Sequence, residues 1–161
     1  MNYLSPSSFW LPDFYNLTGW HEHIPFAFYL IDALRPKRFV ELGTFNGLSY
    51  FAFCQAIAWL GLDAEAVAVD SWGGDNGGTA YDGDAMFASV AEHNQRYPFS
   101  CLVRANFDEI RDGFVDGSID LLHLDGDHYY ESVVADLNNY RPKLARDAIM
   151  LLHDTRLGGL S

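Results

Sequence analysis

Two acidic clusters and one glycine turn hold the residues of this sequence that could do chemistry together. Asp125, Asp127 and His128 follow the apolar run Ile119–Leu124, and His153, Asp154 and Thr155 follow a second run, 148–152. If these runs are neighbouring parallel strands, about 4.8 Å apart, the Asp125 and Asp154 carboxylates can share a cation. Oxygen ligands suit magnesium or another hard divalent ion, whereas zinc ordinarily recruits more nitrogen or sulfur. The same DGDH run also reads as a capped turn, because Asp and Gly favour turns without any ligand.

The third feature is Glu41-Leu-Gly-Thr-Phe-Asn-Gly-Leu-Ser49. Its glycines are four apart with Phe45 between them, so it departs from the GxGxxG dinucleotide fingerprint. A pyrophosphate cradle is not expected. A glycine turn still lets a ligand approach the backbone, and the following helix start and the Ser49 hydroxyl could meet an anionic carboxylate. The alternative is a plain strand-to-helix turn. Asp70 ends the apolar run 66–69, where an acid can accept the hydroxyls of a ribose or simply cap a loop.

These residues need elements to bring them together. The spacing of Phe26, Tyr29, Leu30 and Ala33 predicts a helix from Pro25 to about Leu34. Strands are expected at 39–42, 66–69, 99–103, 119–124 and 148–152. Between them helices are expected from about Leu48 to Leu60, from an Asp84 cap to Pro98, from an Asn106–Glu109 capping box to Gly113, and around Tyr130, Val133, Val134 and Leu137. Residues 71–84, rich in glycine, read as a loop. Trp72 and Tyr81 in that loop would cover a ligand or anchor the loop itself. Strands joined through helices, with runs such as IMLL buried on both faces, predict an α/β fold: a doubly wound, Rossmann-like parallel sheet of about five strands. Ligands of such sheets bind at the carboxyl ends of strands beside the switch in strand order. Residues 1–37 are expected to form an aromatic arm and helix, and 38–161 the ligand-binding domain.

Bulk properties narrow the partners. The chain has 161 residues with 49% hydrophobic and 20% charged, which describes one packed domain. Its net charge of −12 argues against nucleic acid and anionic membrane partners and leaves small molecules open. The start lacks the basic and apolar segments of a signal peptide, and no apolar run reaches the ~20 residues of a membrane span, so a cytoplasmic protein is expected. Cys54 and Cys101 lack CxxC spacing and are expected to be buried thiols. His123 lies inside an apolar run and reads as a hydrogen-bonded core histidine. His21 and His23 flank Glu22 and read as incidental surface residues or metal ligands.

Together ELGTFNGLS, the run ending in Asp70 and the pairing of LDGDH with LLHDT resemble class I S-adenosylmethionine-dependent methyltransferases, over about residues 38–155. The ELGxxxGxS motif is similar to the metal-dependent, catechol O-methyltransferase-like branch. The DGxH and HDT tracts are similar to methyltransferase domains found beside bacterial glycosyltransferases. The resemblance implies that Glu41, Gly43, Thr44 and Gly47 belong to the cofactor pocket, that Ser49 contacts the methionine carboxylate, that Asp70 holds the ribose, and that Asn106 lies near the adenine. It implies Asp125, Asp154 and Thr155 as a magnesium site, with Asp125 also beside the cofactor. His128 stands where that branch has its lysine base, with Asp127 as the fallback base, and Thr155 replaces an amide ligand.

The implied activity is transfer of a methyl group to a hydroxyl of a sugar or small metabolite. A non-catalytic cofactor-binding or scaffolding domain of a larger glycan-synthesis protein is the alternative, and a nucleotide-dependent oxidoreductase is disfavoured by the broken GxGxxG. The family resembles a seven-stranded sheet, so the C-terminal hairpin is expected to be missing here. A domain cut from a longer polypeptide, or a homodimer that covers the fifth-strand edge, would follow.

Overall fold

The computed structural model describes residues 5–16, 18–76, 79–127 and 129–153. His128, Asp154 and Thr155 lie outside the described residues. In chain order the elements are α1 (Ile24–Leu34), β1 (Arg38–Leu42), α2 (Leu48–Trp59), β2 (Glu65–Asp70), β3 (Asp75–Asn76), β4 (Thr79–Ala80), α3 (Gly83–Asn94), β5 (Ser100–Arg104), α4 (Phe107–Ile110), β6 (Ile119–Leu124), α5 (Tyr130–Tyr140) and β7 (Leu144–Leu152).

Five strands form one sheet in the order β5-β2-β1-β6-β7, with every pairing parallel. The chain steps outward from β1 to β5, then crosses back to lay β6 on the other side of β1. That reversal puts the switch point between β1 and β6. Alternation along the strands feeds two cores. Phe39 and Leu121 join a cluster with α1 and α2, whereas Val40, Leu42, Leu122 and Leu124 join a second one with Phe107 of α4 and Tyr140 of α5. The inner strands β1 and β6 are therefore covered on both faces, as their apolar runs predict, whereas the IMLL run of edge strand β7, expected to be buried on both faces, leaves Ile149 and Leu152 exposed because no strand or helix closes that edge among the described residues.

Helix α2 explains why the aromatic arm exists. Every residue from Leu48 to Ile57 is buried, so the helix has no polar side to give to water. The arm covers it: Trp10 packs on Trp59 at 5.2 Å between ring centroids and Phe14 on Phe51 at 5.0 Å. Gln55 is the one polar side chain in the middle of this contact, and the arm backbone satisfies it. Its Oε1 accepts from Asp13 N and its Nε2 donates to Leu11 O, both at 2.8 Å.

Several expectations are corrected. Asp82, not Asp84, caps α3, its side chain accepting from Ala85 N at 3.0 Å; Asp84 instead pairs with Arg104. Cys54 is buried but Cys101 is exposed, because β5 is an edge strand with less covering its faces. Strand β7 starts at Leu144, four residues before the apolar run, because Leu144 pairs with Ile119 ahead of an irregularity in the ladder. The 71–84 loop contains a small antiparallel pair, β3 with β4. No helix among the described residues is long and apolar enough to cross a membrane.

Candidate active site

A cleft of about 860 Å³ opens above the carboxyl ends of β1, β2, β5 and β6, beside the switch point. Pockets of roughly 300–1,000 Å³ take small molecules and cofactors. Its walls bring together Gly43, Thr44, Ser49, Asp70, Asn106, Asp125 and Asp127, all expected from the sequence to be site residues. Gly47 lies behind this wall as the N-cap of α2. Glu41 is wholly buried beneath it.

The turn after β1 is held from several sides. Gly43 has φ +90° and lies so close to β6 that a Cβ would stand 2.1 Å from the Asp125 carbonyl oxygen. Phe45 also has positive φ, at +47°, which costs a non-glycine residue about 1–2 kcal/mol unless its surroundings hold it. Asp70 supplies that hold. Its Oδ2 accepts from Thr44 N at 2.9 Å and Phe45 N at 2.8 Å, and its Oδ1 accepts from Trp72 N at 2.7 Å. The Trp72 indole then donates to Phe45 O at 2.8 Å. Trp72 is thus the loop anchor, while Tyr81 lines the cleft beside Phe45. A carboxylate has about four acceptor positions, so Asp70 keeps roughly one for a ligand hydroxyl while the turn is in this form.

Beneath the turn, Glu41 and His123 are direct neighbours in the β1–β6 register. The ring Nδ1 lies 2.7 Å from Glu41 Oε2, and Trp20 Nε1 lies 3.3 Å from the ring Nε2. An indole nitrogen only donates, so Nε2 is the acceptor and Nδ1 carries the proton given to Glu41. Burial raises the Glu41 carboxyl above its ordinary value; His123 and, more weakly, Ser49 oppose the rise, and the Asp125 charge adds to it. Glu41 Oε1 has no hydrogen-bond partner of ordinary geometry among the described residues. Thr44 Oγ1, in the cleft wall, is likewise without one.

The cleft is also lined by Thr18, Gly19, Trp20 and His23 from the arm, with Tyr129 and His153. His153 Nδ1 is 3.1 Å from Asp125 Oδ1, and the His23 and His153 rings are 5.6 Å apart. Asp127 accepts from Tyr129 N at 3.3 Å and from Ser132 Oγ at 2.7 Å, which ties the turn after β6 to the first turn of α5. Asn106 N donates to Glu109 Oε2 at 3.0 Å, and the expected Asn106–Glu109 capping box is present at the start of α4. Among the described residues no three His, Cys, Asp or Glu side chains are grouped to hold a metal.

The arm's share of the site is not legible in the sequence. Trp20 lies 103 positions from His123, and no local pattern signals that contact. The Glu41–His123 pair had one available signal: two ionisable residues at matching places in adjacent apolar runs.

Comparison with known proteins agrees with this architecture. A family model described as a methyltransferase domain matches residues 40–155. Protein y4gI of Sinorhizobium fredii (strain NBRC 101917 / NGR234), described as uncharacterized, is 48% identical over 141 residues; these are 87% of this chain and 15% of that protein. S-adenosylhomocysteine-bound methyltransferase PaMTH1 of Podospora anserina superposes with a TM-score of 0.66 at 16% identity, over 86% of this chain and 54% of that one. A putative caffeoyl-CoA O-methyltransferase from Staphylococcus aureus gives 0.64 at 15%, over 86% and 59%. The O-methyltransferase TomG of Streptomyces achromogenes, in complex with S-adenosylmethionine, gives 0.64 at 14%, over 88% and 58%. The chain thus spans under a fifth of its curated relative and little more than half of these structures, whose likeness shows the fold. With the family model covering most of its length and the sheet order and cleft in agreement, the chain belongs to the methyltransferase-domain family.

Proposed function

We propose that this chain is an S-adenosylmethionine-dependent methyltransferase acting on an oxygen nucleophile, a hydroxyl of a sugar or other small metabolite. The observation that carries the reading is the cleft at the β1–β6 switch point, whose floor forms because Gly43, lacking a side chain, packs directly on the Asp125 backbone. The residues there fit the cofactor. The α2 start, where N-cap Gly47 has no side chain and Asn46 Oδ1 takes only Leu48 N, together with Ser49 suits its carboxylate, Asp70 its ribose and Asn106 its adenine. When bound, the cofactor supplies an electrophilic methyl: the acceptor oxygen bonds to that carbon, the carbon–sulfur bond breaks and sulfur keeps the electron pair.

The protein's part is alignment and removal of the hydroxyl proton. In this reading His128 takes the proton, with Asp127 as the fallback. Asp125 is the right donor type for magnesium or a similar hard cation, and Asp154 and Thr155 are proposed beside it. The arm segment 18–23 and Tyr129 form the acceptor end. A cytoplasmic protein acting on a small-molecule acceptor, alone or as a homodimer, is the matching proposal for its setting.

A second reading has its own support. The matching relative is several times longer than this chain, which favours a cofactor-binding or scaffolding domain within a larger protein, such as one of glycan synthesis. Titration calorimetry with S-adenosylhomocysteine, NAD and magnesium separates the readings. S-adenosylhomocysteine binding together with methyl transfer to an added acceptor supports the first, binding without turnover supports the second, and NAD binding alone sinks both.

A further inference from the structure

We propose that His123 is a positioning residue that ties the arm to the cofactor end of the cleft, its Nδ1–H holding the Glu41 carboxylate and its Nε2 holding the Trp20 indole. The naming of the two ends rests on the functional reading above. The tie itself rests on geometry alone.

His123 sits among Leu121, Leu122 and Leu124, where a leucine would bury more cheaply. A buried polar ring is costly unless its nitrogens are used, and both are used here, at 2.7 and 3.3 Å. His123, Glu41 and Trp20 are 2%, 0% and 6% exposed, so water does not compete for these bonds. The partners arrive from different parts of the chain: Trp20 lines the cleft, and Glu41 is buried beneath its wall. Trp20 is a wall of the acceptor end, with its ring 5.7 Å from that of His23. Glu41 lies two residues before Gly43, within the influence of Ser49 in the first turn of α2.

Each nitrogen therefore does a separate task. Without the Nδ1–H, the buried Glu41 carboxylate would keep only the weaker influence of Ser49, and the charge beneath the cofactor end would be neutralised or displaced. Without the Nε2 acceptor, the Trp20 indole N–H would be stranded and the 18–23 segment would lose its anchor to the sheet.

Amide side chains divide these tasks, because the Asn amide nitrogen reaches about where Nδ1 stands and the Gln amide oxygen about where Nε2 stands. His123→Asn keeps the donor to Glu41 and drops the Trp20 bond. His123→Gln does the reverse. The measurements are calorimetric affinity for S-adenosylhomocysteine and hydrogen exchange of the Trp20 indole and the 18–23 amides. His123→Asn is expected to speed that exchange about tenfold with affinity within about twofold, and His123→Gln to weaken affinity about tenfold with exchange nearly unchanged. Equal effects of the two variants on either readout overturn the proposal.

If neither variant folds, Trp20→Phe and Glu41→Gln decide it. Faster arm exchange in the first and weaker affinity in the second support the tie, and the opposite assignment or a common loss overturns it. Failure of the wild type to bind S-adenosylhomocysteine overturns the functional reading instead. Indole exchange, which needs no ligand, then decides the tie: faster exchange in His123→Asn than in His123→Gln supports it, and equal exchange overturns it.

Discussion

Gly43 and Asp125 meet backbone to backbone at the switch point: a Cβ on residue 43 would stand 2.1 Å from the Asp125 carbonyl oxygen, while Asp125 N donates to Leu42 O at 2.8 Å. The contact sets the floor of the cleft. Gly43→Ala must therefore push β6 away from β1 as well as adopt φ +90°. The expected cost is about 3 kcal/mol of stability, read from urea unfolding, with at least about tenfold weaker S-adenosylhomocysteine binding. A variant of wild-type stability would contradict the close approach.

Asp70 holds the turn through three backbone donors. Asp70→Ala is expected to lower stability by about 2–3 kcal/mol, because three N–H groups lose a charged acceptor and Phe45 loses what keeps its positive φ. Amide exchange at 44, 45 and 72 should quicken together. Exchange quickening at 72 alone would show that the turn is held by something else.

His93 sits between Phe14 of the arm and Phe51 of α2, with ring centroids 4.4 and 4.5 Å away. Burial lowers its pKa, and the Arg96 charge lowers it further against an opposing effect of Asp13. A histidine with a lowered folded value binds its proton more tightly when unfolded. Its contribution is present above the ordinary value near 6.5 and is lost as pH falls below it. Melting temperature should drop more between pH 8 and pH 5.5 in the wild type than in His93→Phe. Parallel curves for the two proteins would refute this.

Asp136 shows the opposite sign. Burial, then the charges of Asp108 and Asp127, raise its pKa to about 6. The folded protein holds this proton more tightly, so the contribution is full below the ordinary carboxylate value near 4 and is lost as pH rises through about 6. Asp136→Asn should stabilise the protein at pH 7 by at most about 1 kcal/mol, since the group is only half-buried and water screens it. No gain at pH 7, or a gain that grows as the pH is lowered, would contradict the assignment.

Much of this arrangement was legible because apolar runs and turn residues act locally. Strand β6 has the bounds its run predicts, and Asn106 with Glu109 marks the start of α4. Gly43, Asp70 and Asp125 were placed by one rule, that residues just past parallel strands share a rim. What stayed hidden depends on distant parts of the chain. Asp82 rather than Asp84 caps α3, and Asp84 in the first turn pairs instead with Arg104 of β5 at 2.7 Å, a partner 20 positions away. Exposure of Cys101 follows from strand order rather than from its neighbours in sequence. The docking of the arm on α2 was foreshadowed only by the absence of a polar face on that helix, which says that a cover is needed but not which segment provides it.

The central claim is that the methyl donor lies across the carboxyl ends of β1, β2 and β6. A crystal structure of the protein soaked with S-adenosylhomocysteine tests it most directly. The homocysteine carboxylate is expected at the start of α2 by Ser49, the ribose at Asp70, the adenine by Asn106 and the sulfur facing Asp125. A ligand seated elsewhere, or reversed so that the adenine meets the Trp20–His23 end, would contradict it.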